Sequence, residues 1–154
     1  MAGRRVFRNM KNNRSAETGT PKQFVFFFRG KDWDEGVPPE KLQALMDRFT
    51  DWAQALIDSG RVRGGQALGR SGAMISRRGV SDGPFAESKE AIGGYLILAV
   101  NTLEEATEIA KTAPILDFDG SIEIRPMLDE CPVFERIRER YGLLPKPLSF
   151  AKAA

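Results

Sequence analysis

The stretch from Ser81 to Val100 constrains the fold more than any other part of the chain, because it places a turn motif just ahead of an apolar strand. The motif Asp82-Gly83-Pro84-Phe85 joins a glycine, which tolerates unusual backbone angles, to a proline with a fixed φ. We expect a tight turn here, with the Asp82 carboxylate accepting hydrogen bonds from its backbone amides. The uninterrupted apolar run Tyr95 to Val100 then predicts a β-strand.

Three further segments have a clear period. Phe24 to Phe28 is apolar at even and odd positions alike, which is typical of a strand covered on both faces. Between Pro39 and Gly60, apolar residues recur at helical spacing, Pro39 suits the first turn and Gly60 suits a left-handed C-terminal cap. Thr102 and Glu105 have the spacing of a capping box, so a second helix begins there and ends before Pro114.

The remaining segments are shorter. Ser121 to Arg125 alternates polar and apolar residues and predicts a strand with one polar face. The glycine-rich stretch Gly64 to Arg78 predicts a hairpin or a bulged strand. Val133 to Tyr141 has apolar residues at helical spacing and predicts a short amphipathic C-terminal helix.

The order strand, helix, strand, strand, helix, strand predicts an α+β fold, with a ferredoxin-like antiparallel sheet and two helices on one face. From Phe24 to Met127 the chain resembles the YCII-related (DGPF-domain) family, on the strength of the Asp-Gly-Pro-Phe motif and the strand that follows it. The resemblance implies a dimeric α+β barrel, in which two sheets pack face to face. A homodimer of this kind would account for strands that are apolar on both faces.

At 154 residues the chain is expected to form one domain. We assign residues 22–128 to the ferredoxin-like domain, 1–21 to a basic flexible arm and 129–154 to a C-terminal helix and tail. The longest apolar runs are far shorter than the roughly 20 residues needed to cross a bilayer, which predicts no membrane contact. A single cysteine suits a reducing compartment, so we expect a cytoplasmic protein.

The chain contains no histidine, which excludes an imidazole base and a tetrahedral zinc site. Some YCII-related proteins are thought to pair a histidine with an aspartate, and that chemistry cannot be carried over. We expect no metal and no other cofactor. The carboxylates near predicted strand ends or turns are Asp82, Glu87, Asp117, Asp119 and Glu123. Of these, Asp82 is our candidate for a catalytic general base, and holding its turn is the alternative role.

Five arginines and no acidic residue lie between Ser59 and Ser81, an arrangement that suits a small anionic ligand or a solvated hairpin. Our candidate ligand contacts are Arg77, Arg125 and Tyr95. We expect Arg125 and Glu123 to point to opposite faces of their strand, so that one of them lines the cavity between subunits.

Two functions remain open from the sequence. The first is a small barrel-type enzyme that acts by carboxylate-mediated proton transfer on an acidic or ring-shaped metabolite. The alternative is a non-catalytic ligand-binding or regulatory homodimer. Nucleic-acid binding is the least favoured, because ferredoxin-like RNA-binding modules display paired aromatic residues on a central strand, and Tyr95 to Val100 offers only Tyr95. The sequence does not decide whether the protein is an enzyme.

Overall fold

The computed structural model describes residues 22–30, 34–83 and 91–144. The strands are β1 (Lys22–Arg29), β2 (Val62–Ala67), β3 (Gly72–Ser76), β4 (Gly79–Gly83), β5 (Ile92–Val100) and β6 (Ser121–Pro126). The helices are α1 (Pro39–Asp58), α2 (Leu103–Lys111) and α3 (Pro132–Tyr141), and a short 3₁₀ helix covers Pro114–Phe118. No helix in these ranges is long and apolar enough to cross a membrane.

The main sheet is antiparallel, with the strand order β2-β5-β1-β6. Strands β3 and β4 do not belong to this sheet. The other four strands have the predicted ferredoxin-like order, so the α+β prediction is confirmed. The edge strands are β2 and β6, while β1 and β5 lie in the middle and form most of the core.

The helix boundaries follow the local signals in the sequence. Helix α1 begins at Pro39, and the chain reverses after it at Gly60, whose φ is +71°. The side-chain oxygen of Thr102 accepts a hydrogen bond from the Glu105 amide at 3.1 Å, which caps α2. The Glu105 carboxylate in turn accepts from the Asn101 amide at 3.0 Å. The first of these bonds uses a helix amide that would otherwise lack a partner, and the second ties the Glu105 side chain to the residue before the cap.

The core lies between α2 and one face of the sheet, which we call the helix face. Phe26 and Leu98 are fully buried there. Around them pack Phe24 and Val100 from the sheet and Ala106 and Ala110 from α2. The opposite face, which we call the open face, carries alternate residues of the same strands. Its larger apolar side chains are only half-buried: Val25, Phe27, Tyr95 and Ile97.

The glycine-rich stretch divides into two structures. Strand β2 pairs with β5 and shifts register between Val62 and Gly64, as expected of a bulged strand. Strands β3 and β4 form a hairpin in a separate two-stranded sheet. The sequence therefore indicated both structures, but it did not indicate that they belong to different sheets.

The expected turn at Asp82 and Gly83 is wrong for these two residues, because they end strand β4 and pair with Ala73 and Gly72. A side chain at position 83 would force Met74 on the neighbouring strand to move, since a Cβ there would lie 2.5 Å from its Cγ. Pro84, Phe85 and Glu87 lie outside the described residues. So do the predicted N-terminal arm and the tail from position 145 onwards.

Candidate functional site

A cleft of about 660 Å³ lies between α1 and the sheet at strands β2 and β5. It exists because the helix face of these strands carries very small residues at this end. Gly94 pairs with Phe28 and with Ala67, and Gly65 pairs with Leu96, so Gly65, Ala67 and Gly94 share the helix face. They offer little or no side chain to meet α1, and the space between helix and sheet stays open.

The wall of the cleft is aromatic. The ring of Phe28 on β1 contacts Phe49 of α1 edge-on, with ring centres 5.7 Å apart, and contacts Trp52 edge-on at 6.3 Å. Phe49 and Trp52 are tilted by 40° with their centres 5.7 Å apart. The two edge-on geometries are favourable ones for aromatic pairs. The three rings therefore form one packed group with a defined shape.

The rim of the cleft is apolar as well. Met46 and Ile57 of α1 border the cleft, and they are 59% and 50% exposed. Leu45, Ala53, Val62 and Ile115 also line it. A cavity of a few hundred Å³ with mainly apolar walls is the usual form of a small-molecule site.

The floor cannot be filled without moving the backbone. A Cβ at Gly65 would lie 2.8 Å from the Tyr95 carbonyl oxygen and 2.8 Å from Cδ1 of Leu96. At Gly94 it would lie 3.0 Å from the Gln66 carbonyl oxygen. The strands therefore require glycine at both positions, and the depth of the cleft follows from this packing.

One charged residue, Arg29, is among the described residues that line the cleft. Its guanidinium pairs with Glu123 across the sheet, with Nε to Oε2 at 2.6 Å, and Arg125 binds the other carboxylate oxygen. Hydrogen bonds from Arg125, and then from Arg29, lower the pKa of Glu123 below its ordinary value. The expectation that Glu123 and Arg125 lie on opposite faces is wrong, because residues two apart in a strand share a face.

The residues singled out from the sequence lie in two different sheets. Asp82 is exposed on β4, and Arg77 is exposed in the turn between β3 and β4. Arg125 and Tyr95 share the open face of the main sheet, with β1 between their strands. Of these four, Tyr95 alone borders the cleft. Within the described residues, the Asp82 side chain makes no hydrogen bond or ion pair, and its catalytic role remains a prediction.

The other candidate carboxylates have structural surroundings. Asp117 accepts a hydrogen bond from Arg48 at 2.7 Å, which ties the 3₁₀ helix to α1. Asp119 takes a left-handed conformation with φ of 57°, as expected of a turn former beside Gly120. Across residues 22–30, 34–83 and 91–144, no group of three or more acidic or cysteine side chains is placed to hold a metal ion.

The cleft was not predicted from the sequence. Its aromatic residues Phe49 and Trp52 belong to the apolar residues that recur at helical spacing between Pro39 and Gly60, and this spacing predicts only a helix. The available signal was the glycine pairs Gly64-Gly65 and Gly93-Gly94, each inside or beside an apolar strand, where glycine often marks close backbone approach or an adjacent ligand.

Comparison with known proteins identifies a family and a distant structural neighbour. The family model described as YCII-related domain matches residues 23–130. No curated protein matches the sequence. Among solved structures, the chain is similar to 5-chloro-2-hydroxyhydroquinone dehydrochlorinase from Burkholderia phenoliruptrix AC1100, in complex with 2,5-dihydroxybenzoquinone. The identity is 15% and the TM-score 0.39, over 70% of this chain and 95% of that chain, a similarity too low to carry an argument about function.

Proposed function

The chain belongs to the YCII-related domain family, and we propose that within this family it binds a small, apolar, ring-shaped molecule in the cleft between α1 and the sheet. This is the ligand-binding alternative of the two functions considered from the sequence. The observation that carries the proposal is the aromatic wall of Phe28, Phe49 and Trp52 over a floor of glycines.

The energetic argument rests on what a ligand would cover. Met46 and Ile57 leave much of their apolar surface in water at the rim, and burial of such surface contributes about 25 cal/mol per Å². The volume of about 660 Å³ accommodates a molecule of one or two rings. A preformed cleft also lowers the cost of ordering side chains on binding.

Catalysis by a carboxylate in this cleft has less support. Asp82, the candidate base, lies on β4 in the separate sheet and does not border the cleft. A general base must lie within hydrogen-bond reach of the proton that it removes. We therefore assign binding to the cleft and leave proton transfer out of the proposal.

A matched pair of substitutions on α1 tests the proposal. Ala53 borders the cleft, whereas Ala55 is exposed and does not border it. Ala53→Trp would fill the space, and we expect it to weaken the binding of naphthol by at least about tenfold in titration calorimetry, equal to about 1.4 kcal/mol. Ala55→Trp adds the same side chain to the outer surface and should leave the affinity unchanged.

Two results would contradict the proposal. The first is equal binding of naphthol by the wild-type protein and the Ala53→Trp variant at millimolar concentration. This result would show that the cleft is not the binding site. The second is an equal loss of affinity in Ala53→Trp and Ala55→Trp, which would show that an added tryptophan weakens binding without filling the cleft. Ala53→Leu, a smaller change, provides the test if the larger one lowers the melting temperature.

The homodimer is part of the same proposal, with the open face as its contact. Its apolar residues Val25, Phe27 and Ile97 are half-buried, while α1 and α2 both pack on the helix face. Ile97→Lys would place an ammonium group in such a contact, and we expect it to give a monomer in sedimentation velocity. Ala55→Lys, at an exposed position on α1 and away from the open face, is the control. A monomeric wild-type protein at micromolar concentration would exclude this arrangement.

A further inference from the structure

We propose that Thr112 is a positioning residue for Trp52, and that it makes the cleft selective for flat aromatic molecules over non-planar apolar molecules of similar size. The inference deepens the proposed function and rests on it. Thr112 itself is not among the residues that line the cleft. It acts on the site through one hydrogen bond to a residue that does.

The hydrogen bond joins two helices. Trp52 lies on α1, and its indole Nε1 donates to Oγ1 of Thr112 at 2.8 Å. Thr112 follows the last residue of α2 and is its C-cap. Since indole has a single donor and no acceptor, this bond determines the direction in which the ring edge points.

The threonine hydroxyl is itself held in place. Its proton is donated to the Ile109 carbonyl oxygen at 2.7 Å, so its lone pairs are left to accept the indole N–H. The acceptor therefore does not rotate freely. Two bonds in series connect the backbone of α2 to the ring of Trp52.

This connection matters because it adds a directional constraint to the ring contacts that Trp52 makes with Phe28 and Phe49. The torsion that rotates an indole about its Cβ–Cγ bond has broad minima. Phe28 meets Trp52 edge-on at 86°, and an edge contact of this kind tolerates rotation about the axis between the rings. With the hydrogen bond in place, the ring presents one fixed plane to the cleft.

A fixed plane discriminates by shape. A flat ligand can stack in offset fashion on the indole, with its full face in contact, whereas a caged hydrocarbon touches the same surface at a few atoms. If the ring could rotate freely, the average contact with the two shapes would become more similar. We therefore expect loss of the hydrogen bond to reduce the preference for flat ligands more than it reduces binding as a whole.

The first experiment measures the ring in the protein without ligand. The chain has two tryptophans, Trp33 and Trp52, so a Trp33→Phe background isolates the signal of interest. In that background Thr112→Val, which keeps the side-chain shape and removes the hydroxyl, should lose most of the near-ultraviolet circular dichroism of tryptophan. Thr112→Ser keeps the hydroxyl and should retain it. Unchanged dichroism in Thr112→Val would overturn the inference.

The second experiment measures selectivity with naphthol and adamantanol, which each carry ten carbons and one hydroxyl. We expect the ratio of their dissociation constants to narrow by about fivefold in Thr112→Val, within the range that one neutral hydrogen bond supports, and to stay near wild type in Thr112→Ser. Because Thr112 is exposed, water can replace it as the partner of the indole, and the melting temperature should change little.

The outcomes separate this inference from the proposed function. Wild-type protein that binds neither probe overturns both. Binding that is lost in Ala53→Trp but shows the same ratio in Thr112→Val and wild type keeps the cleft and removes the role of Thr112. A ratio that falls equally in Thr112→Val and Thr112→Ser also removes it, since the serine retains the acceptor.

Discussion

Adjacent glycines in β2 should respond in opposite ways to the same substitution. Gly65→Ala places a methyl group 2.8 Å from the Tyr95 carbonyl oxygen, which is part of the backbone of β5 and cannot move without disturbing the sheet. Gly64→Ala places the same group where nothing lies within 4 Å. Neither residue has a positive φ, so the backbone conformation of β2 does not itself oppose alanine.

The expected magnitudes follow from these distances. Overpacking of a close contact typically costs about 1–3 kcal/mol, and the reduced freedom of the unfolded chain returns about 0.4–1 kcal/mol. Gly65→Ala should therefore lower the free energy of unfolding by about 1–2 kcal/mol. Gly64→Ala should leave it unchanged or raise it by about 0.5 kcal/mol.

Urea unfolding followed by far-ultraviolet circular dichroism measures both values. A difference of about 2 kcal/mol between the variants corresponds to a separation of about 4–8 °C in melting temperature for a chain of this size. Equal stability of the two variants would refute the close approach of β2 and β5 at Gly65, and with it the account of why the cleft has a glycine floor.

Two further predictions concern carboxylates. Asp82→Asn should change the free energy of unfolding by less than about 0.5 kcal/mol, because the side chain is exposed and has no partner within the described residues; a larger loss in urea unfolding would restore the turn-holding role expected from the sequence. Glu123→Gln should destabilise the protein at neutral pH, and the difference from wild type should shrink as the pH falls below the ordinary pKa of 4.5. The sign follows because the pKa of Glu123 is lowered in the folded state, so its stabilising effect is lost on protonation; a difference that does not change with pH would contradict it.

Features that depend on neighbouring residues were predictable from the sequence. Pro39, Gly60 and Thr102 mark helix boundaries through their own backbone and side-chain chemistry, and the structure places the boundaries there. The ferredoxin-like order followed from the sequence of elements, since few sheet topologies are compatible with it.

Features that depend on distances between elements were not predictable. The cleft depends on how far α1 stands from β2 and β5, which follows from the tertiary positions of residues such as Gly94 and Trp52. The apolar residues of α1 recur at helical spacing, and this spacing is the same whether they pack closely on the sheet or line an open cleft. The prediction that Glu123 and Arg125 face opposite sides was wrong, because the two residues are two positions apart in β6 and therefore share a face.

The hairpin of β3 and β4 has a consequence for how this chain can change in length. Ala67, the last residue of β2, pairs with Gly94, and the next amide, of Leu68, donates to the Gly93 carbonyl oxygen at 2.9 Å. The chain thus leaves the main sheet and re-enters it at neighbouring points. We call the segment between these two points, which contains the β3–β4 hairpin, the inserted module. The pairing of β2 with β5 holds its two ends together, and the entropy of closing such a loop grows only slowly with its length. Insertions and deletions can accumulate in this module while the pairing of β2 with β5 stays the same.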